Sequence, residues 1–405
     1  MNWTMLEFDP AGTATDPVPW RRDAGYGTPA GLPSDLIIVG AGPSGWITAL
    51  EAARRRPDCR VHLFEKRPEP LADRVWCWWS CAQAPWPSYD HEWPAWQVLA
   101  GDRSVNARVD GVTYRMLRAS TFVAQAQAEA AQRPNLTVEH GQTVRSIAET
   151  GERVHVELTD GRRFVTPVVL DTRPPAHRPG AWRQAFHGWE VQCRNGIFDP
   201  GSVILMGFHT LPDQPIRFFY VLPLSPHHAL VEETAFTPDD VGPPGQAGLE
   251  GWLAGHDHGG YQVLREESGV LPMDPTLTPP RQPARILPLG ARGGAGRPAT
   301  GYAFVGLATQ ARRFAARWAT APHAPQVTPS VRSPAVVWMD RVFLRALKRI
   351  PDAHRRVFAP MFGAAPAASV RFLSDTGGVW AAIRVIAVMP KIPFIRAALE
   401  SRAHD

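Results

Sequence analysis

Asp35-Leu36-Ile37-Ile38-Val39-Gly40-Ala41-Gly42-Pro43-Ser44-Gly45 is the stretch that decides the fold. Its β-branched apolar run predicts a strand, its three glycines at Gly-x-Gly-x-x-Gly spacing predict a tight turn, and the segment that follows to about Arg56 predicts a helix. Gly40 permits the turn, Gly42 leaves room for the backbone to approach a pyrophosphate, and Gly45 lets the helix pack closely on the strand. Pro43 and Ser44 open that helix, whose first amides hold phosphate charge. Val61-His-Leu-Phe64 reads as the next strand, and Glu65 follows at its end, where a carboxylate accepts both ribose hydroxyls. Together these predict a dinucleotide site, which NAD and FAD both satisfy.

Outward from there, a second glycine block runs Pro288-Leu-Gly290-Ala-Arg-Gly293-Gly294-Ala-Gly296-Arg-Pro298-Ala-Thr300-Gly301-Tyr302 and leads into a helical stretch through Ala311 and Phe314. One phosphate site is already assigned. A distant glycine turn entering another helix suits the other half of a long cofactor, its ribityl chain and flavin edge, and favours FAD over NAD. A flexible surface loop is the plainer alternative.

Between the two blocks, Val154-His-Val-Glu-Leu158 alternates at period two, Asp160-Gly161 is a hairpin turn and Arg163-Phe-Val165 returns. Ser202 to Phe208, Ile216 to Leu222 and His228 to Phe236 read as strands of a second, mainly antiparallel sheet. The chain therefore leaves the cofactor domain, builds a substrate domain and comes back. The expected fold is α/β: a Rossmann-like FAD-binding domain of the glutathione-reductase or flavin-hydroxylase type interleaved with an antiparallel β-sheet substrate domain, plus a C-terminal helical region. The expected boundaries are 1–33 for a flexible extension, 34–175 with 265–320 for the FAD domain, 176–264 for the substrate sheet with a contribution from 74–120, and 330–405 for membrane-associating helices.

Glu232 and Glu233 are consecutive on a predicted strand, so they point to opposite faces and at most one meets a cavity. Glu232 shares its face with Leu230, Thr234 and Phe236, and a carboxyl among such neighbours is a desolvated proton donor. A salt-bridged strand glutamate is the plainer reading of either residue, and of Glu266 and Glu267 also. His227-His228 reads as a turn pair.

The 405 residues are 44% hydrophobic and 20% charged, which excludes a disordered chain. Fifteen Trp against six Tyr suggest an aromatic-lined cavity or a Trp-rich core. The net charge of +5 is concentrated in residues 341–405, with 11 Lys and Arg against 4 Asp and Glu. Without a helix-turn-helix, zinc-finger or RNA-recognition pattern, that charge points to anionic lipid and not to nucleic acid. Cys59, Cys77, Cys81 and Cys193 fit no zinc or Cys-x-x-Cys pattern and read as reduced thiols. The first 33 residues lack the apolar core of a signal peptide, and no run approaches the ~20 apolar residues that span a bilayer. The expected location is cytoplasmic, at the membrane periphery.

The first glycine motif with Glu65, Arg74-Val-Trp76-Cys77-Trp78, Gln184-Ala-Phe186-His-Gly188-Trp-Glu190 and Phe218-Phe-Tyr220-Val-Leu222-Pro223-Leu224 form an ordered set. It continues with Leu230-Val-Glu232-Glu233-Thr234, Glu267-Ser-Gly269-Val-Leu271-Pro272-Met273, Pro298-Ala-Thr300-Gly301-Tyr302 and Arg371-Phe372-Leu373. In that order they resemble the FAD-dependent lycopene cyclases of bacterial and plant type, over roughly Asp35 to Leu399. The resemblance implies Glu232 as the acid–base residue with Glu233 beside it. The implied substrate-lining residues are Trp76, Trp78, Trp79, Phe219 and Tyr220.

The implied substrate is lycopene or γ-carotene, and the implied cofactor is reduced FAD with NADPH as electron donor. An acid protonates the terminal double bond, the neighbouring alkene attacks the cation, and loss of a ring proton leaves a β-ionone ring without net oxidation. Water must be excluded, and aromatic faces stabilise the cation. An insoluble polyene also implies collection from a bilayer by Trp380, Ile383, Val385, Ile386, Met389, Ile392 and Phe394 with Arg384, Lys391 and Arg396. Arg297 stands where the family pattern has His, and Leu230-Val231 where it has Phe-Leu. The same architecture also carries flavin monooxygenases and polyprenyl or carotenoid reductases, and a catalytically silent FAD-binding scaffold is a further alternative.

Overall fold

The strand Leu36–Val39 is buried along its whole length because both of its faces are covered. Leu36 and Ile38 pack into a core shared with the helices Pro43–Arg55 and Phe304–Trp318, whereas Ile37 and Val39 meet Val154, Val156, Leu158 and Phe164 of a small sheet on the other side. The computed structural model describes residues 31–402 apart from 177, 179, 210–215, 238–242, 258 and 351–352. Leu36–Val39 lies at the centre of a five-stranded parallel sheet, between Val61–Phe64 with Leu136–Glu139 on one side and Val169–Asp171 with Ile286–Pro288 on the other. Most of the N-terminal extension lies outside the described residues; Leu32–Pro33 pairs in parallel with Arg163–Thr166.

The second layer is a seven-stranded sheet in the order Tyr261–Met273, Trp182–Cys193, His228–Thr237, Ile216–Ser225, Ser202–Phe208, Ala95–Ala100, Arg103–Arg108. Its pairings are antiparallel except that of Ser202–Phe208 with Ala95–Ala100. The expected return to the cofactor domain at residue 265 falls too early. Tyr261–Met273 pairs with Trp182–Cys193 to Met273, and the parallel sheet resumes only at Ile286. The charged run Arg265-Glu-Glu267 hides that edge strand: Glu266 faces solvent, whereas Arg265 and Glu267 pair with each other on its inner side.

Each face of the large sheet has its own cover. Trp189, Val191, Val231 and Phe219 pack under the helix Gln246–His256 through Leu249 and Leu253. Phe218, Leu222, Leu230 and Phe236 meet a C-terminal helical layer through Val342, Phe358, Met361 and Phe362. That layer includes the helices Pro334–Leu347, Pro366–Leu373, Gly378–Val388 and Lys391–Arg402. The fold is thus the expected α/β arrangement of a Rossmann-like layer, an inserted antiparallel sheet and C-terminal helices.

Candidate active site

The two glycine blocks meet, although some 245 residues separate them in the chain. Gly40 has φ +106°, a backbone state that suits glycine, and a Cβ on Gly45 would collide with the Gly40 carbonyl. A Cβ on Gly42 would meet nothing within 4 Å, so the space before the helix is open. Ser44 Oγ is buried without a hydrogen-bond partner and faces Gly290, where a Cβ would lie 2.8 Å from it. Gly290 has φ +72°, and its amide donates to Gln310 Oε1 at 2.7 Å.

Glu65 ends its strand buried, accepting from the Ala41 amide at 2.7 Å and from Arg67 Nε at 2.9 Å. Burial alone would raise the Glu65 pKa, but these bonds from Arg67 and Ala41 outweigh it and hold the carboxyl below its usual range. Farther along, Gly301 lies against Gln184 Oε1, which is buried and without a partner; Pro298 is buried, and the Tyr302 amide donates to Thr300 Oγ1 at 3.4 Å. Open space at a helix N-terminus, two orphaned buried oxygens and a terminal carboxylate form a cradle that fits an elongated dinucleotide.

Tyr220 is the direct cross-strand partner of Glu232, so the two side chains share a face of the large sheet. Cys77, Tyr220, Glu232 and Tyr302 are half-buried neighbours, and Tyr220 and Tyr302 line an apolar chamber. The Tyr302 hydroxyl lies 3.4 Å from that of Tyr114. Burial, and then the charge of neighbouring Glu267, push the Glu232 carboxyl well above the usual range; Thr234 Oγ1 donates to its Oε1 at 2.8 Å. Burial likewise pushes up the hydroxyls of Tyr220 and Tyr302 and the thiol of Cys77.

An apolar cleft of about 260 Å³, lined by Tyr220 and Tyr302, lies between the sheet and the C-terminal helices. Phe236, Phe358, Phe362, Trp338 and Met361 line it, and its lining includes Met389, Pro390 and Lys391, between the last two helices. Asp340 and Lys391 are the charged residues among its described lining. No helix of the described residues is long and apolar enough to cross a membrane.

Several expected site residues lie elsewhere. Glu233 points to the opposite face, 2% exposed beneath the helix Gln246–His256, with His209 Nε2 and Arg217 Nη1 both 3.1 Å from its Oε1. Burial would raise its pKa, but those two partners outweigh it and keep the carboxyl low. Phe219 follows the same alternation, packing at a tilt on the rings of His209 and Trp252 away from the cleft. Trp76 and Trp78 pack on Phe304 at centroid distances of 5.0 and 5.7 Å in the cofactor-domain core. Trp79 packs on Trp96 and Tyr114 beside the chamber. The cavity's aromatic lining is chiefly phenylalanine, and most tryptophans serve as core.

In the sequence Glu267 stands in a charged pair and opens one of the family-like runs without an assigned role, yet it is 3% exposed and faces Glu232. Arg297 is buried, with Nε 3.2 Å from Asp340 Oδ1, so at its position it forms an ion pair that joins the second glycine loop to the C-terminal helices.

Among solved structures, the chain is similar to halogenase PltM in complex with phloroglucinol and FAD, with a TM-score of 0.58, 10% identity and 91% of each chain covered. At that identity the likeness concerns the fold. The lycopene beta-cyclase of Pantoea ananas is 27% identical over 400 residues, covering 90% of this chain and 96% of that protein. The lycopene beta-cyclase of Paracoccus sp. (strain N81106 / MBIC 01143) is 26% identical over 380 residues, covering 89% and 95%. The family model for lycopene cyclase protein matches residues 35–399, nearly all of what the fold and cleft occupy, and the chain belongs to the lycopene cyclase family.

Proposed function

We propose that this protein is a lycopene beta-cyclase, converting acyclic carotenoid ends to β-ionone rings with no net redox change. The carrying observation is the Glu232 carboxyl, pushed by burial well above its usual range and paired across the strand with Tyr220, which lines an apolar cleft. The family match and the two bacterial relatives support the substrate class.

The cradle at Gly40, Gly42, Pro43, Ser44, Gly45 and Glu65, with Gly290, Pro298, Thr300, Gly301 and Tyr302, would hold FAD, as in the fold neighbour solved with that cofactor. When bound in its reduced form, with NADPH as donor, FAD supplies an electron-rich face that stabilises nearby positive charge. The chain's own residues do the rest. Glu232 gives its proton to the terminal alkene, which becomes the tertiary cation, because burial favours the neutral acid form of the carboxyl. Tyr220 and Tyr302, whose hydroxyls burial makes too weakly acidic to ionise, offer aromatic faces to the cation without competing for the proton. The phenylalanine-lined cleft excludes the water that would trap the cation as an alcohol.

The bilayer would deliver the substrate. The cleft lining includes Met389 to Lys391, and Trp380, Ile386 and Ile392 are exposed apolar side chains on the last two helices. This reading assigns residues 330–405 as a peripheral membrane-docking region.

The test is an anaerobic assay of purified protein with FAD, NADPH or dithionite, and lycopene in liposomes, products separated by chromatography. Ringed isomers of unchanged mass are expected. No product without oxygen, together with a gain of one oxygen atom when it is admitted, would move the protein to the monooxygenases.

A further inference from the structure

We infer that Glu267 is a positioning residue for Glu232: the two carboxyl groups meet over the intervening strand, in the gap left by Gly188, and share one proton. The inference rests on the reading of Glu232 as the acid. Trp182–Cys193 lies between the strands that carry the two glutamates, and Gly188 is the register partner of both. Tyr220, Glu232, Gly188 and Glu267 therefore form one row across four strands, with their side-chain directions on one face. A Cβ at Gly188 would lie 3.1 Å from Glu232 Cβ and 3.2 Å from Cγ, so any larger residue would stand in that space. Glycine inside a strand weakens it, and here the lost side chain is what lets its two neighbours approach.

The two members of the pair are held differently. Arg265 Nη1 is 2.6 Å from Glu267 Oε2, while Arg265 Nε is 3.0 Å from Glu190 Oε2. Glu190 is held in turn by both Arg118 Nη1 and Nη2, at 2.6 and 2.8 Å, and by His228 Nε2 at 2.8 Å. Glu267 thus sits at the end of a fixed charged chain and is the ionised partner. Glu232 faces Cys77, Tyr220, Thr234 and the Arg265 charge; Glu267 faces Arg265 and Arg74. Burial raises the pKa of both carboxyls, and Arg265 opposes that rise more strongly at Glu267.

The pair gives the acid a way to recover. When the Glu232 O–H breaks, its proton forms a C–H bond at the terminal alkene carbon, and the neighbouring alkene's π electrons close the ring C–C bond. Two adjacent carboxylates then remain, which raises their basicity. The ring C–H breaks, its electron pair becomes the ring double bond, and the proton returns to Glu232. Nothing is oxidised or reduced.

The test uses the full-length flavin-loaded enzyme, reduced anaerobically, with lycopene in liposomes. In Glu267→Gln, kcat at neutral pH is expected to fall about tenfold or more with KM within about twofold, while FAD is retained. Removing the neighbouring negative charge lets Glu232 ionise sooner, so the limb on which activity is lost with rising pH moves to lower pH and turnover partly returns in acid. Glu267→Asp, still charged, is expected to shift that limb less. If Glu267→Gln does not hold FAD, Gly188→Ala gives the same reading, because a wedge between the carboxyls moves the limb in the same direction. A wild-type kcat and an unmoved limb overturn the inference. Glu232→Gln is assayed beside them: inactive, it supports Glu232 as the acid whatever Glu267 does, whereas normal turnover there sinks that reading itself.

Discussion

Arg297 Nε stands 3.2 Å from Asp340 Oδ1, with both side chains 1% exposed, and this contact fastens the second glycine loop to the helix Pro334–Leu347. The same guanidinium reaches Asp375 Oδ1 at 3.0 Å, bonds the Phe372 carbonyl and lies 4.1 Å over the Phe372 ring. Breaking a buried pair from one side leaves an uncompensated charge, which costs ~3 kcal/mol or more. Asp340→Asn should therefore lower Tm, and Arg297→His, which puts the family's residue here, should lower it too because imidazole is too short for three partners. Calorimetry of the flavin-loaded protein checks this; an unchanged Tm in both variants would contradict the anchoring role.

Adjacent Glu232 and Glu233 divide stability from catalysis. Glu233→Gln removes a carboxylate from between His209 and Arg217 and should lower Tm while leaving kcat near wild type, because that face is closed under Leu249 and Leu253. Glu232→Gln should do the reverse, abolishing ring formation with Tm and FAD retained. Loss of turnover in Glu233→Gln at full FAD occupancy would restore a catalytic part for it.

The cofactor layer was legible because every element of it is local: a strand, three glycines, a helix and an acid lie within thirty-one residues. Alternation within the strand His228–Thr237 was also enough to separate Glu232 from Glu233. The partner of Glu232 was not legible, since Glu267 comes from a strand 35 residues on and the two meet only through a third strand's glycine. Nor did composition reveal the cavity wall. Tryptophans near the glycine-rich core became packing, and phenylalanines from helices between residues 334 and 402 became the cleft.

Gly42 and Gly45 answer different needs and should fail differently as alanine. A Cβ at Gly45 would strike the Gly40 carbonyl, so Gly45→Ala should impair folding even without cofactor. A Cβ at Gly42 meets nothing, so Gly42→Ala should fold with the apoprotein's Tm but bind FAD at least ~10-fold more weakly, the methyl standing where the pyrophosphate would lie. Flavin fluorescence titration and apoprotein melting separate the two; equal FAD affinity in Gly42→Ala would contradict this placement of the phosphates.

Glu190 should make the fold acid-sensitive. Burial would raise its pKa, but hydrogen bonds from Arg118 and Arg265 outweigh burial and hold it at about 2 against an ordinary 4.5. A carboxyl depressed in the folded state stabilises fully above the ordinary value, and that contribution is lost as pH falls from about 4.5 towards 2. After allowance for solvent screening it amounts to ~1–3 kcal/mol. Denaturant melts across this range should decline more steeply for wild type than for Glu190→Gln; parallel slopes would contradict the assignment.

The last two helices carry the prediction about membranes. Trp380, Ile392 and Leu399 are 79%, 67% and 63% exposed, whereas Val385 and Met389 turn inward to line the cleft. Lys391 Nζ donates to the carbonyls of Ile386 and Ala387 at 2.8 Å, closing the turn between the helices beside the cleft. If the outward side chains enter lipid, each contributes ~1 kcal/mol for partial burial, so removing three costs ~3 kcal/mol, or roughly a hundredfold in partitioning. Trp380→Ala/Ile392→Ser/Leu399→Ser should therefore lose sedimentation with phosphatidylglycerol vesicles at unchanged Tm, since none of the three is core. Turnover should fall with lycopene in liposomes and persist with lycopene in detergent. Equal vesicle binding would assign this apolar face to something other than a bilayer, and equal loss in detergent would mean that the substitutions had damaged the cleft itself.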